Sequence, residues 1–325
     1  MAVDLIKTPG CRLCGQGPLA PRYAFRARNV SLTGDFNLVS CAHCGTWQVN
    51  PHPGPKLCQT FFSRLDLWET SIDPEGRALA PIERADQKKP EWRLYAKALI
   101  PLLLEGRLIV DIGAGAGRML KEIPDSFPKL AVEPNLAASQ ILTAQGLKVV
   151  NAWAEDLNFA RDPLGAIILN QTLDHLPRPD IFLTRALNWL APGGLILITG
   201  LINPRSLAAR VYGPQHRLWS PFHQIYPPLG AIRRILESFG FEVVKVWRPY
   251  LATPFGGPFS LFKDGLKLAL GLIHRPQKGL SPPFFGSVYG LLARKSLLLK
   301  PLPNEATAAA NAPEAAPIAS YIKPI

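Results

Sequence analysis

Four cysteines, an acid-and-glycine turn and a few histidines are the residues whose types and spacing could do chemistry in this sequence. Cys11 and Cys14, then Cys41 and Cys44, form two Cys-x2-Cys pairs with 26 residues between them. Glycine follows each second cysteine, at Gly15 and Gly45, and lets the backbone turn so that amides face the sulfurs. Four thiolates at this spacing suit a tetrahedral metal, for which zinc is the usual choice. The gap has room for two short strands. So small a region has too little core to fold alone, and metal binding would supply its folding energy. No βαβ pattern surrounds either pair, which argues against a redox role. His43 reads as a bystander and Cys58 as a small buried apolar residue.

The second constellation is VDIGAGAGRML, residues 110–120. An apolar run meets Asp111, and Gly113, Gly115 and Gly117 follow at alternating positions. Such glycines allow a ligand to approach the backbone closely. Glu133 lies 20 residues after Gly113 and could accept both hydroxyls of a ribose. The turn therefore suits a nucleoside-containing cofactor. Its spacing, G-x-G-x-G with Arg118 next, departs from the dinucleotide pattern G-x-G-x-x-G. Asp111 would also repel a pyrophosphate. A sulfonium cation with an amino-acid tail fits better, because Asp111 can act on the tail's ammonium directly or through water.

These residues need elements to hold them. From Glu91 the pattern is helical up to Leu104, interrupted at Pro101, and strands and helices then alternate. Strand-like segments lie at 107–112, 129–134, 148–153, 165–171, 195–200, 241–247 and 287–294, with helices at 116–123, 135–145, 180–190 and 229–239. This predicts an α/β fold: a doubly wound parallel sheet with helices on both faces, preceded by a small cysteine-rich domain. Ligands of such sheets sit outside the carboxyl ends of the strands, where the glycine turn falls. The expected domains are a metal-binding head at 1–60, a connector at 61–90, a catalytic domain at 91–300 and a tail at 301–325. The tail, with eight alanines and five prolines, has too little apolar variety for a core and reads as disordered.

At DIGAGAGR and AVEPN the chain resembles class I S-adenosylmethionine-dependent methyltransferases, and the resemblance covers about residues 91–295. It extends through AEDLNF (154–159), LNQTLDHLPRPD (169–180), LAPGGLILITGLINP (190–204) and FHQIYPPLGAIRRILESFGFEVV (222–244). The segment CRLCG…CAHCGTWQVNPHP resembles the zinc-ribbon head of some bacterial methyltransferases of sugar, polysaccharide or secondary-metabolite pathways. The resemblance implies a Rossmann-like fold, S-adenosylmethionine as cofactor and acceptors of that class. It implies cofactor contacts from Asp111, Gly113, Gly115, Gly117 and Glu133. Such enzymes often carry an aspartate after strand three that bonds the adenine, followed by a small residue; here Trp153 precedes Ala154. Trp153 either stacks on the adenine, with Glu155 or Asp156 making the polar contact, or fills the core at the strand end.

Methyl transfer from a sulfonium is an in-line displacement, and positioning can supply ~7–11 kcal/mol of its barrier. A hydroxyl or carbon-acid acceptor also needs its proton removed, worth about 10²–10⁴-fold in rate. His223 in WSPFHQIYPP is one candidate base, with Tyr226 and Trp219 beside it as an acceptor wall. His175 after strand four is another, unless it caps the neighbouring helix; His216 is expected nearer solvent. Asn170 and Gln171 should contact the methionine part or line the acceptor pocket, unless they make ordinary strand-end hydrogen bonds.

The formal net charge is +12, which favours an anionic partner such as a membrane surface, a phosphorylated substrate or nucleic acid. Residues 255–300 hold seven Lys or Arg against Asp264 alone, a net +6. Residues 258–274, within a basic insert at 248–286, are helix-compatible with a narrow polar sector at Lys263, Asp264 and Lys267. That helix would be a lid or packing element, or lie at a membrane interface, where a lipid-linked acceptor becomes reachable. No secretory signal or membrane-spanning run is evident, so a cytoplasmic location is expected, with membrane association in the case where that helix lies at an interface rather than packing as a lid. The leading function is methyl transfer to a small-molecule, glycan or lipid-linked acceptor. The alternative is an RNA methyltransferase using the ribbon and the basic surface. Against it, basic and aromatic residues do not interleave in the ribbon, NQTLDH stands where an N-P-P-Y-type motif would be, and no cysteine lies beyond Cys58. A binding scaffold with a vestigial site is disfavoured by the intact acids and glycines.

Overall fold

The computed structural model describes residues 4–29, 32–63, 70–72, 78–81, 91–160, 164–216, 218–249 and 285–297, and positions 262, 263, 265, 266, 269 and 270. The tail at 301–325, most of the connector and most of the basic insert lie outside the described residues.

The head begins with β1 (Leu5–Ile6) and two long strands, β2 (Leu19–Asn29) and β3 (Leu32–Cys41). β4 (Trp47–Val49), β5 (His52–Pro53) and α1 (Pro55–Phe62) follow. Proline at the first turn suits α1, since its missing N–H would have no intrahelical partner there. The 26-residue gap therefore holds not two short strands but strands of 11 and 10 residues. Their cause is an alternating pattern on both arms. Phe25 and Ala27 point inward against Phe36 and Leu38, Phe25 directly opposite Phe36, while Arg26 and Asn37 face out.

After a two-stranded ladder of β6 (Thr70–Ile72) and β7 (Ala78–Pro81), α2 (Glu91–Leu99) opens the catalytic domain. There follow β8 (Leu108–Ile112), α3 (Arg118–Lys121), β9 (Lys129–Val132), α4 (Leu136–Ala144), β10 (Lys148–Val150) and β11 (Leu164–Asn170). The remainder is α5 (Pro179–Trp189), β12 (Leu190–Ile202), α6 (Leu207–Tyr212), β13 (Ile225–Tyr226), α7 (Leu229–Ser238), β14 (Phe241–Trp247) and β15 (Val288–Lys295). Seven strands form one sheet in the order β10-β9-β8-β11-β12-β15-β14. β8 and β11 are central and have no solvated face, so they read as nearly continuous apolar runs, broken by Asp111 in one and ended by Asn170 in the other.

Alternate residues of each strand feed opposite layers. Val110, Ile112, Ile167, Leu169, Ile196 and Ile198 meet α5 and α7 on one face. Ile109, Ala166, Ile168, Leu195 and Leu197 meet Trp92, Tyr95 and Leu99 of α2, with Met119 and Leu142, on the other. Each fully buried aliphatic side chain contributes roughly 1.5–3 kcal/mol.

The sheet is mixed rather than parallel: β15 runs antiparallel to both β12 and β14. Apolar content conceals direction, because an interior antiparallel strand is buried on both faces like its parallel neighbours. A second joint was not expected. β13 pairs with β4, so the catalytic domain contributes an edge strand to the head's four-stranded sheet.

Candidate active site

The first strand–helix turn is pinned to its neighbour. The N–H groups of Gly113 and Ala114 both donate to the Val132 carbonyl, at 2.8 and 3.1 Å. Gly113, Gly115 and Gly117 all have left-handed φ, between 56° and 74°. At Gly113 a Cβ would also stand 2.6 Å from Thr172 Oγ1, so only glycine fits. Glu133 reaches back over the turn. Its Oε2 accepts from Gly115 N–H at 2.8 Å and its Oε1 from Asn135 N–H at 2.9 Å. Asn135 in turn caps α4 by accepting from the Ala138 amide.

Asp111, at the end of β8, is 1% exposed. Its Oδ1 has no hydrogen-bond partner among the described residues. Burial, and then the nearby Glu133 charge, push its carboxyl up to about 8. Glu133 is also raised by burial, an effect the Asn135 and Gly115 amides oppose. A buried carboxyl with an idle oxygen beside a second acid suits a cationic ligand.

A cavity of about 700 Å³ opens over this turn. Asp111, Gly113, Gly115 and Glu133 line it, together with Trp153, Ala154, Glu155 and Asp156. Gly117 is not on its wall; it terminates the turn before α3 and has no room for a Cβ beside Leu142. Asn170 and Gln171 line the cavity as well. Asn170 Oδ1 accepts from Thr199 Oγ1 at 2.5 Å. Gln171 alone among the described non-glycine residues has positive φ, 54°, and strain of this kind concentrates at functional sites.

His175 lines the same cavity. Its Nδ1–H donates to the Phe222 carbonyl at 2.9 Å, which leaves Nε2 with the lone pair. His223 packs against it with ring centroids 4.7 Å apart and planes tilted by 53°, and its Nδ1 is buried. Desolvation lowers His223 to about 4. Tyr226 is fully buried and lies off the cavity wall; its hydroxyl donates to the Ser220 carbonyl and accepts from the Ser220 amide. Trp219 and His216, the latter buried and not near solvent, pack with Tyr226, Trp47 and Tyr23 in the seam between head and catalytic domain. Phe61 and Phe62 of α1, next to Cys58, line the cavity instead. Sequence reasoning missed these residues, because only the head's docking brings them to the cavity. Cys58 is buried as expected, but it also accepts a hydrogen bond from Gln224 Nε2 at 3.2 Å.

In the head, the sulfurs of Cys11, Cys14, Cys41 and Cys44 lie within 4.8 Å of one another. The Cys11–Cys44 and Cys14–Cys41 pairs are 3.7 Å apart. That is far beyond a disulfide and close to the edge of a tetrahedron with metal–sulfur bonds of about 2.3 Å. Amides of Cys44 and Thr46 donate to the Cys41 and Cys44 sulfurs at 3.4 Å each, as the glycine turns lead one to expect. Gly15 and Gly45 both have positive φ and bond back to Cys11 and Cys41. The donor set fits a tetrahedral, thiolate-binding metal.

A model of the methyltransferase domain matches residues 84–246, half of the chain. The chain belongs to the methyltransferase-domain family. Its fold is the class I S-adenosylmethionine-dependent type. An uncharacterized protein of Methanocaldococcus jannaschii is 28% identical over 162 residues, covering 49% of this chain and 76% of the relative. A ubiquinone biosynthesis O-methyltransferase of Cereibacter sphaeroides is 28% identical over 130 residues, 37% of this chain. This methyltransferase thus spans about half (53%) of that relative's length. Among solved structures, a chain from the complex between the Haloferax volcanii Trm112 methyltransferase activator and the putative methyltransferase has a TM-score of 0.50 at 15% identity. It covers 66% of this chain and 93% of that one, a likeness of fold.

Proposed function

We propose that this methyltransferase moves the methyl group of S-adenosylmethionine onto an oxygen of a small-molecule, sugar or lipid-linked acceptor. The observation that carries the reading is one continuous cavity: Asp111 and Glu133 line it, and so do His175 and Phe62. When bound, S-adenosylmethionine supplies a methyl group already activated on a sulfonium. Asp111 receives the ammonium of its tail and Glu133 the ribose hydroxyls, while Trp153, Ala154 and Glu155 border the adenine. Asn170 and Gln171 hold the methionine part. Phe61 and Phe62 exclude water from the acceptor end and set its oxygen against His175. The printed names of the ubiquinone-biosynthesis relatives, O-methyltransferases, support oxygen as the atom methylated. A labelled-methyl transfer screen over nucleotide sugars, lipid extracts and total RNA tests the proposal. Label is expected in one of the first two; label in RNA alone contradicts it.

Zinc is proposed for Cys11, Cys14, Cys41 and Cys44, supported by their sulfur spacing. Elemental analysis should find a zinc that Cys41→Ser removes. Peripheral membrane contact is proposed for residues 258–274. Its support is that Phe262, Leu266 and Leu270, spaced four residues apart in sequence, are 72, 53 and 49% exposed. Among the described residues no helix is long and apolar enough to cross a membrane.

A further inference from the structure

A second group of metal-ligating side chains stands beside the cavity, away from the four cysteines. Asp174 and His175 sit on the one-turn 3-10 segment Leu173–His175 that follows β11. His223 sits in the loop before β13. Two hydrogen bonds clamp these segments on either side of His223: Gln224 N–H to the Asp174 carbonyl at 2.7 Å, and His175 Nδ1–H to the Phe222 carbonyl at 2.9 Å. One ligand atom from each of Asp174, His175 and His223 then falls within 4.8 Å of the others.

Three features separate this cluster from ordinary loop packing. Asp174 is buried at 2% exposure, yet its Oδ1 has no partner among the described residues. His223 Nδ1 is likewise buried and unpartnered among them. A folded protein keeps such idle atoms at a cost unless something fills the space between them. The histidines are also oriented as metal ligands are, with one ring nitrogen given to a backbone carbonyl and the other left as a donor of its lone pair. His175 shows this directly.

We propose that Asp174, His175 and His223 hold a divalent cation of the manganese, iron, cobalt or zinc type, whose open positions face the acceptor end of the cavity through His175. Two imidazoles and one carboxylate are the donor set those ions accept, and three protein ligands leave room for an exogenous oxygen. This role deepens the methyl-transfer reading and rests on it only for what the open position binds. There the cation takes the acceptor hydroxyl as a ligand and lowers its pKa, as a bound metal ion does for water. The methylation balances without a redox partner. The oxygen–methyl bond forms, the carbon–sulfur bond of the sulfonium breaks, and the hydroxyl proton leaves to solvent.

The test uses the full chain with its cysteine site loaded with zinc. Manganese(II) is titrated and followed by electron paramagnetic resonance, and cobalt(II) is added separately for its visible spectrum. One bound manganese per chain is expected, with cobalt d–d bands free of thiolate charge transfer. Asp174→Asn and His175→Gln should each weaken manganese binding at least roughly tenfold, since even changes outside the ligand set cost that much. Asp174→Asn should still bind S-adenosylmethionine by calorimetry, which separates loss of the cation from loss of the fold or of the methyltransferase reading. No stoichiometric manganese in the wild-type chain, unchanged affinity in both variants, or cobalt bands of thiolate type only would overturn the proposal.

Discussion

Asp111 shows how a single residue trades stability for ligand binding. Its carboxyl stands near 8 in the folded chain against an ordinary value of 3.8. From pH about 4 upward the unfolded chain has released this proton while the folded chain keeps it. The stability present below pH 4 is therefore lost progressively as pH rises through about 8, after which the loss is complete. Glu133, raised in the same direction, adds to the slope. Asp111→Asn keeps the shape and removes the titration. Without ligand at pH 8 it should melt higher by on the order of a few °C in scanning calorimetry, and its melting temperature should vary less with pH. The same variant should lose affinity for S-adenosylmethionine; equal affinity would remove Asp111 from the site. At Gly113 the opposite holds. Gly113→Ala places a methyl group against Thr172 in a left-handed backbone, so it should cost at least about 1 kcal/mol of stability by denaturant unfolding and weaken the cofactor too.

At the scale of elements, the head is bolted to the cavity wall. Arg12, between Cys11 and Cys14, is buried and donates to the side-chain and backbone oxygens of Gln224. Gln224 also bonds Cys58, on the cavity wall. Arg12→Met should leave the Gln224 side-chain oxygen without its donor and loosen α1. The expected result is a stability loss of about 1–3 kcal/mol and a higher KM for the acceptor, with little change in S-adenosylmethionine affinity. A fall in cofactor affinity equal to the acceptor defect would contradict this coupling. None of it was legible beforehand. β8, β9, β11 and α4 could be read to within a residue or two at most ends, because apolar period and capping residues such as Asn135 are local signals. The glycine turn with Asp111 and Glu133 was legible for the same reason. The antiparallel placing of β15, the two-residue β13 and the Phe61–Phe62 wall depend on partners far along the chain, which no local period encodes. His223 and Tyr226 fall in one motif, yet one packs against a cavity residue and the other is held by Ser220 in the seam. A spacing of three residues could not distinguish them.

For the whole molecule, the exposed apolar residues Phe262, Leu266 and Leu270 beside a basic stretch set an expectation about surfaces. Anionic vesicles should retain the chain, and Phe262→Ser with Leu266→Ser should reduce retention at least severalfold; retention that is absent, or indifferent to both changes, would leave the helix as a lid. Catalysis itself depends on something simpler. Two acids and a glycine turn must receive one sulfonium nucleoside. Titration calorimetry of S-adenosylmethionine into the full chain measures that most directly. The account predicts one molecule bound per chain, and an affinity about 10–100-fold lower in Glu133→Gln, the value of hydrogen bonds to a charged group. A natively folded chain that gives no binding heat, or a Glu133→Gln variant that binds as tightly as wild type, would contradict it.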